Sequence, residues 1–236
     1  MKRAGCGVLQ VNSDFGPGEF EALDAAADLA GRPLSCLLVQ VDAQPKLWRE
    51  TLDQIHVVRR AGRTANAQVG SRPIGVMMGL ETTVHPFAAH PAWLEMRHLT
   101  PAERYARLAS DAELRRRLVE TPTGDGPRAF LADAFHKMFP VGERPDYEPD
   151  AENSIAAIAR TTGRSPQAVA LDELMSRDGK GLLMLPFENY AGGNLDVVHE
   201  MITDTATVLG VADGGAHVGV ICDASSPTSL LTLWAR

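Results

Sequence analysis

The feature that most constrains the fold is an alternation of short apolar segments with longer segments of helical periodicity. The apolar segments predict strands over residues 7–11, 34–41, 64–69, 181–186 and 207–211. Apolar side chains spaced three or four positions apart predict helices over residues 19–30, 45–61, 154–162, 165–179 and 194–203. Strands that are apolar throughout and separated by helices are typical of a parallel sheet covered on both faces. The sequence therefore predicts an α/β fold.

A long segment interrupts this alternation over residues 71–150. Its first part is rich in Pro, Gly, Met and His, and a charged helix is predicted over residues 101–120. Loops of this length in a compact domain are usually functional or disordered. His85 and His90 are five positions apart beside prolines, which is not the spacing of a helical zinc pair, so we interpret them as loop residues. We expect residues 1–236 to form one domain that carries this segment as an insertion.

Polar residues follow several of the predicted strands. They are Asn12, Gln40, Gln68, Asn189 and Asp213. The carboxyl ends of parallel strands meet at one edge, and in a (β/α)8 barrel that edge holds the active site. Five strands cannot close such a barrel, so the sequence favours either an open doubly wound sheet or part of a barrel.

Asp213 stands where an apolar run meets two glycines and His217. A carboxylate at the end of a buried strand costs free energy unless a metal, a cation or a substrate proton compensates it. Gly214 and Gly215 let the backbone turn sharply beside the acid. The alternative interpretation is an ordinary Asp-Gly turn.

Composition limits the classes of partner. A net charge of −7, with no basic cluster interleaved with aromatic residues, argues against a nucleic-acid surface. The sequence has no apolar run near the roughly 20 residues that a membrane span requires. Three cysteines give neither a disulfide framework nor a Cys-x-x-Cys pattern. We therefore expect a cytoplasmic protein that acts on a small molecule and binds neither nucleic acid nor membrane.

Several short motifs together resemble one enzyme family. They are Asp213-Gly214-Gly215-Ala216-His217, Cys222-Asp223-Ala224-Ser225, Pro227-Thr228, Arg32-Pro33-Leu34-Ser35, Ala67-Gln68-Val69, Arg72-Pro73-Ile74-Gly75, His85-Pro86-Phe87, Asp146-Tyr147-Glu148-Pro149 and Pro186-Phe187. Over nearly the whole chain, this set is similar to the amidohydrolase superfamily, and within it to the N-acyl-D-amino-acid deacylases (D-aminoacylases, amidohydrolase family 3).

The resemblance implies a metal-dependent (β/α)8 barrel of the TIM type. The His-x-His metal pair that ends the first barrel strand in that family is absent from this sequence. The chain is therefore expected to be an internal fragment that covers roughly the fourth or fifth to the eighth strand. Many relatives place histidine ligands where this sequence has Gln40 and Gln68, and a neutral amide oxygen is a poor zinc ligand.

The resemblance also implies roles for individual residues. Asp213 would bind the metal, expected to be zinc, and act as general base in the hydrolysis of a C–N bond. Arg72, Tyr190, Asn194 and His217 would bind the substrate. The alternatives are a surface arginine for Arg72, a structural turn for Tyr190 and Asn194, and a loop histidine for His217.

Three functional hypotheses follow. The first is deacylation of N-acyl-D-amino acids or related small amides. The second is a catalytically inactive, truncated homologue or interaction fragment. The third is hydrolysis of cyclic amides or imides. A partial barrel would leave two strand edges unpaired, so we also expect self-association of the chain through those edges.

Overall fold

The computed structural model describes residues 1–12, 15–123, 129–211, 219–221 and 224–235. The chain divides into two compact units. The first, which we call the sheet unit, comprises Met1–Ile74, Phe187–Ala212 and Asp223–Arg236. The second, which we call the helical unit, comprises Gly75–Pro186 and Asp213–Cys222.

The elements of regular structure follow in chain order. They are β1 (Leu9–Val11), α1 (Glu19–Ala30), β2 (Leu34–Leu37), α2 (Leu47–Arg60), β3 (Ala65–Val69), β4 (Ile74–Met78), α3 (Pro91–Leu94), α4 (Pro101–Ser110), α5 (Ala112–Glu120), β5 (Phe139–Pro140), α6 (Ile155–Thr162), α7 (Pro166–Gly179), β6 (Leu183–Glu188), α8 (Asp196–Thr203), β7 (Thr207–Leu209) and α9 (Ser226–Ser229). Short 3-10 turns and a π-helical turn at Leu230–Trp234 complete the structure. Within the described ranges, no helix combines the length and the apolar character that crossing a membrane would require.

The sheet unit is built on four parallel strands in the order β1-β2-β3-β7. Leu34 of β2 lies opposite Leu9 of β1, and Val69 of β3 lies opposite Leu209 of β7. All three pairings along this sheet are parallel, with helices between the strands. The predicted α/β class with a parallel sheet is confirmed.

One face of this sheet carries the core of the unit. The strand residues Cys36, Ala67 and Val69 pack there with apolar residues of α1, α2 and α8. Because side chains alternate between the two faces of a strand, Gln10, Ser35 and Gln68 belong to the opposite face. Among the described residues, that second face contributes nothing to the apolar core. The structure thus differs from the expectation that apolar packing covers both faces.

The helical unit contains a second, three-stranded sheet in the order β4-β6-β5. Its short strand β5 runs antiparallel to β6, with Phe139 opposite Met184. The strand predicted over residues 181–186 does form, as β6, but it joins this sheet instead of the parallel one. The reason is that Ile74–Met78, which falls in the predicted insertion, forms the apolar strand β4 and lies beside it.

The helical unit encloses its own core, in which Leu108, Ile155 and Leu171 are fully buried. The single helix predicted over residues 101–120 is interrupted at Asp111. The backbone of Asp111 is extended, and its side chain accepts a hydrogen bond from the Leu114 N–H at 3.0 Å. An N-cap aspartate therefore ends one helix and begins the next.

Candidate functional site

Three chain segments leave their strands at the carboxyl edge of the parallel sheet. The chain after β2 leads to Gln40, and the chain after β3 leads to Gly70 and Arg72. The chain after β7 leads to Gly210, whose N–H donates to the Val69 carbonyl at 3.0 Å. The loop that follows β6 reaches the same edge at Asn189. This edge is the place where the sequence predicts a site.

Gln40 and Asn189 form a reciprocal pair. The Asn189 N–H donates to the Gln40 carbonyl, and the Gln40 N–H donates to Asn189 Oδ1, both at 2.8 Å. The Gln40 side chain donates from Nε2 to the Pro45 carbonyl at 3.3 Å and accepts from the Ala191 N–H at 3.0 Å. Both residues are buried. The carboxamide of Gln40 therefore joins two loops of the sheet unit.

Arg72 is buried, with 3% of its surface exposed, so the alternative of a surface arginine is wrong. Its Nη1 donates to Ser229 Oγ at 3.1 Å. The preceding Ser71 donates from its hydroxyl to the Ser226 carbonyl at 3.0 Å, and Trp234 Nε1 donates to the Ser71 carbonyl at 2.6 Å. Hydrogen bonds therefore attach residues 226–234 to the residues that directly follow β3. A guanidinium stays charged in proteins, so these contacts hold a buried positive charge at the edge.

Gln68 occupies the middle of a chain of side-chain hydrogen bonds. Its Nε2 donates to Ser35 Oγ at 3.0 Å, and its Oε1 accepts from Gln10 Nε2 at 3.3 Å. A Cβ placed on Gly210 would lie 3.4 Å from the Gln68 Cβ, so glycine permits the close approach of the chain after β7. The polar face of the sheet is thus linked across β1, β2 and β3.

Residues near this edge also have unusual backbone conformations. Phe15, Asn189 and Val211 have φ angles of 46°, 62° and 56°, although none is a glycine. A positive φ is costly for a bulky or β-branched residue, and such positions often mark functional sites. Two further cases, Arg177 and Asp178, lie at the end of α7 in the helical unit. In the sheet unit, each residue with a positive φ comes shortly after a strand: Phe15 after β1, Asn189 after β6 and Val211 after β7.

The remaining predicted site residues have different positions. Tyr190 is buried and packs in the core of the sheet unit. Asn194 is exposed, and its Oδ1 accepts from the Asp196 N–H at 3.2 Å, which is the contact of a turn that begins α8. Asp213 and His217 lie outside the described residues. Their predicted roles stay predictions.

Sequence reasoning did not include Asn189 among the binding residues, although it marked Asn189 as a polar residue beyond a strand. The sequence signal is an asparagine just beyond an apolar strand, with Gly192 and Gly193 shortly after it. Asparagine tolerates a left-handed backbone better than most residues do, so an Asn after an apolar strand indicates a sharp turn. The contact with Gln40 has no sequence signal, because 149 positions separate the two residues.

Zinc in proteins is held by Cys, His, Asp or Glu side chains that converge on one point. Nowhere in the described ranges do three or more His, Cys, Asp or Glu side chains come together as a metal site. The side-chain oxygens of Gln40 and Gln68 already accept hydrogen bonds from Ala191 and Gln10. Burial raises the pKa of Cys36 to about 11, so its thiol stays protonated at neutral pH. Gln40, Gln68 and Cys36 therefore do not suit zinc as ligands, and zinc bound through Asp213, which lies outside the described residues, stays a prediction.

No protein-family model, no curated protein and no solved structure matches this chain. The resemblance to the amidohydrolases therefore stays a prediction from the quoted motifs.

Proposed function

We propose that this protein hydrolyses the amide bond of a small N-acyl amino acid, with N-acyl-D-amino acids as the first substrates to test. The observation that carries the proposal is the buried polar edge formed by Gln40, Asn189 and Arg72 beyond the strands of a parallel sheet. Parallel α/β proteins bind ligands at that edge. A buried guanidinium suits the carboxylate of an amino acid, because its fork of donors matches two carboxylate oxygens.

We further propose that the four parallel strands are part of a (β/α)8 barrel. The support is the contrast between the two faces of the sheet. One face packs against helices, and the other carries Gln10, Ser35 and Gln68. In a closed barrel the helices form the outer layer and the second face of each strand points inward. Cysteine usage supports a cytoplasmic location as part of the same proposal.

The proposed reaction is hydrolysis with Asp213 as general base. Asp213 takes a proton from water while the water oxygen attacks the acyl carbon. The C–N bond then breaks as the same proton passes to the leaving nitrogen. The products are the free acid of the acyl group and the amino acid. Arg72 holds the substrate carboxylate throughout.

The test is release of D-leucine from N-acetyl-D-leucine by the 236-residue chain, with N-acetyl-L-leucine in parallel. General acid–base catalysis typically contributes about 10²- to 10⁴-fold, so Asp213→Asn should lower kcat at least about a hundredfold. Asp53→Asn, at an exposed position of α2, is the matched control. Absence of D-leucine release by the wild type, or equal rates for wild type and Asp213→Asn, would contradict the proposal.

A second candidate function is ligand binding without turnover, as in an inactive homologue. The observation that favours it is that Gln40 and Gln68 use their side-chain oxygens within the protein, where the resemblance leads one to expect metal ligands. Titration calorimetry with N-acetyl-D-leucine separates the two functions. Heat of binding without release of D-leucine supports the inactive homologue.

We also propose that the chain self-associates through its sheet edge. Strand β7 is the last strand of the parallel sheet, and its Val208 and Leu209 are 44% and 52% exposed. Exposed apolar residues on an edge strand favour pairing with another chain. Sedimentation velocity over a range of protein concentrations tests this, and a single monomeric species at all concentrations would contradict it.

A further inference from the structure

The sheet unit has a cavity of about 190 Å³ at the amino edge of its parallel sheet, opposite the carboxyl edge. It lies between the end of α1 and the segments that lead into β2 and β3. Ala27, Leu34 and Val58 form apolar walls. A water needs only about 10–15 Å³ of such space, so a small organic ligand has room here. Four charged side chains also line the cavity: Asp24, Asp28, Arg32 and Arg63.

The turn at the end of α1 brings two of these charges to the same cavity. Gly31 has a φ of 61°, and its N–H donates to the Asp28 carbonyl at 2.9 Å. The Arg32 N–H donates to the Ala27 carbonyl at 3.0 Å. These two hydrogen bonds form the Schellman motif that a glycine just after a helix favours. The motif turns the chain back over the last helical turn, so Arg32 and Asp28 both line the cavity.

Arg32 has a buried donor that the described residues leave unpaired. Its Nη1 donates to the Gly5 carbonyl at 2.7 Å, whereas its Nε has no hydrogen-bond partner in the part of the chain that the structure describes. A buried donor without a partner costs free energy, and the cost is larger when the group is charged. The N–H groups of a guanidinium form a fork that matches the two oxygens of a carboxylate. This edge of Arg32 therefore suits a ligand carboxylate.

The other charges leave one carboxylate with acceptor capacity. Arg63 donates from Nη1 and Nη2 to the two oxygens of Asp24 at 2.5 and 2.8 Å, so these two residues neutralise each other. Asp28 Oδ1 is 3.9 Å from Arg63 Nε, which is too long for a hydrogen bond. The side chain of Asp28 is 65% exposed, so the cavity is open to solvent on this side. Asp28 can therefore accept hydrogen bonds from a ligand.

We infer that this cavity binds a small α-amino acid as its zwitterion, with the carboxylate on Arg32 and the ammonium group on Asp28. A simple anion would be repelled by Asp28 and by the negative carbonyl end of α1. A simple cation would be repelled by Arg32. A zwitterion satisfies both groups, and the apolar walls suit a short aliphatic side chain. The inference goes beyond the proposed function, because it adds a second site at the other edge of the sheet.

The experiment follows the Nε–H resonance of Arg32 by proton–nitrogen NMR, identified by its loss in Arg32→Lys. The ligands are L-alanine and D-alanine. Propionate keeps only the negative charge of alanine, and ethylamine keeps only the positive one. In the wild type, at least one enantiomer of alanine should shift the resonance saturably. Propionate and ethylamine should each bind at least about tenfold more weakly, since each leaves one charged group of the cavity without a partner.

Asp28→Asn tests the ammonium contact. The Kd for alanine should rise at least about tenfold, because asparagine lacks the negative charge. The Tm should be unchanged, since Asp28 is largely exposed and its ion pair with Arg63 is long. Asp53→Asn, at an exposed position of α2, is the matched control and should leave the Kd unchanged.

Three results would overturn the inference. They are no shift of the Arg32 resonance with either enantiomer of alanine, binding of propionate or ethylamine as tight as that of alanine, and an unchanged Kd in Asp28→Asn. None of these ligands contains an amide bond, so the outcome does not depend on release of D-leucine. Failure of this inference and failure of the proposed hydrolase are therefore distinguishable.

Discussion

In the helical unit, three buried polar side chains each accept a hydrogen bond from a backbone N–H two or three positions ahead, and one of them, His90, also contacts the Thr121 carbonyl through Nε2 at 3.1 Å. Ser154 accepts from the Ala157 N–H at 3.2 Å and caps α6, and His90 accepts from the Ala92 N–H at 3.1 Å and caps α3. His85 accepts from the Phe87 N–H at 3.2 Å and packs against Trp93. In the sheet unit, by contrast, buried Gln40, Arg72 and Asn189 lie beyond the ends of strands and contact residues that are distant in sequence.

This difference separates two uses of a buried polar group. A cap satisfies a helix end that would otherwise lose hydrogen bonds, so it serves local folding. The pairs at the carboxyl edge of the sheet unit join separate loops, and one donor there, Asn189 Nδ2, has no hydrogen-bond partner in the part of the chain that the structure describes. A fold does not require that donor, so we expect substitutions in the helical unit to change stability alone and substitutions at the edge to change ligand binding.

The largest effect should come from Leu108→Ala in the core of the helical unit. Leu108 is 0% exposed, and removing its side chain leaves a cavity. The free energy of unfolding should fall by about 2–5 kcal/mol, measured by urea denaturation. Leu94→Ala, at an exposed position of the same unit, is the control and should change it by less than about 0.5 kcal/mol. A changed Kd for N-acetyl-D-leucine in folded Leu108→Ala would contradict the expectation that substitutions in the helical unit change stability alone.

Arg72→Lys should give the next largest effect, on ligand binding. Lysine keeps the charge but loses the planar fork that holds a carboxylate at two points. The Kd for N-acetyl-D-leucine should rise at least about tenfold, or about 1.4 kcal/mol, with a smaller change for N-acetyl-D-leucinamide. Calorimetry measures both values, and exposed Arg60→Lys is the control. Equal losses for the two ligands would mean that Arg72 does not bind the carboxylate.

Asp204→Asn tests a polar group of the sheet unit that is distinct from the Gln40, Asn189 and Arg72 cluster. Burial alone would raise the pKa of Asp204, but hydrogen bonds from the Ala206 N–H and from His56 lower it below its ordinary value. A lowered pKa in the folded state stabilises the protein above the ordinary pKa of about 3.9, and the stabilisation is lost as the pH falls through the folded-state pKa.

Wild type should therefore exceed Asp204→Asn in free energy of unfolding by about 1 kcal/mol at pH 7, with a difference that shrinks below about pH 4. Urea denaturation at several pH values measures the difference. A gap that stays constant down to pH 2 would show that the ionised carboxylate does not stabilise the fold. An altered affinity for N-acetyl-D-leucine would extend the functional region beyond the carboxyl edge.

Thr100→Ala should have the smallest effect. Thr100 accepts from the Glu103 N–H at 3.3 Å, and Glu103 accepts from the Thr100 N–H at 2.8 Å, which together form a capping box at α4. Loss of the threonine cap should reduce the free energy of unfolding by roughly 0.5–1 kcal/mol, seen as a lower Tm. Thr100→Ser keeps the hydroxyl and should restore most of the loss. Ligand affinity should be unchanged in both variants.

The sequence predicted those parts of the fold that depend on local periodicity. Helix α1 has its predicted bounds, and β1, β2, β3 and β7 lie within their predicted segments. The pairing of β6 could not be predicted, because a short apolar segment fits either sheet and only tertiary packing selects between them. The interruption at Asp111 had a local signal, an aspartate able to cap a new helix, that the periodic pattern of the charged helix obscured.

The candidate site was predictable as a place and not as a set of contacts. Polar residues after apolar strands located the carboxyl edge, and Gln40 and Arg72 lie there. Gln40 accepts a hydrogen bond from the Ala191 N–H and exchanges hydrogen bonds with Asn189. These contacts depend on how two loops that are distant in sequence meet. The burial of Arg72 depends on Ser229, 157 positions away. No local sequence pattern encodes contacts between residues so far apart in the chain.

The reciprocal pair of Gln40 and Asn189 has a consequence for the order of events during translation. The ribosome makes Gln40 first, and its partner follows 149 positions later. At about 5–20 residues per second, roughly 7–30 s pass between the synthesis of Gln40 and the synthesis of Asn189, which binds it. Strand β3 is likewise complete before its partner β7, because residues 75–186 of the helical unit are made between them. The nascent sheet therefore passes through a period with an open edge, during which a chaperone would have its best opportunity to bind.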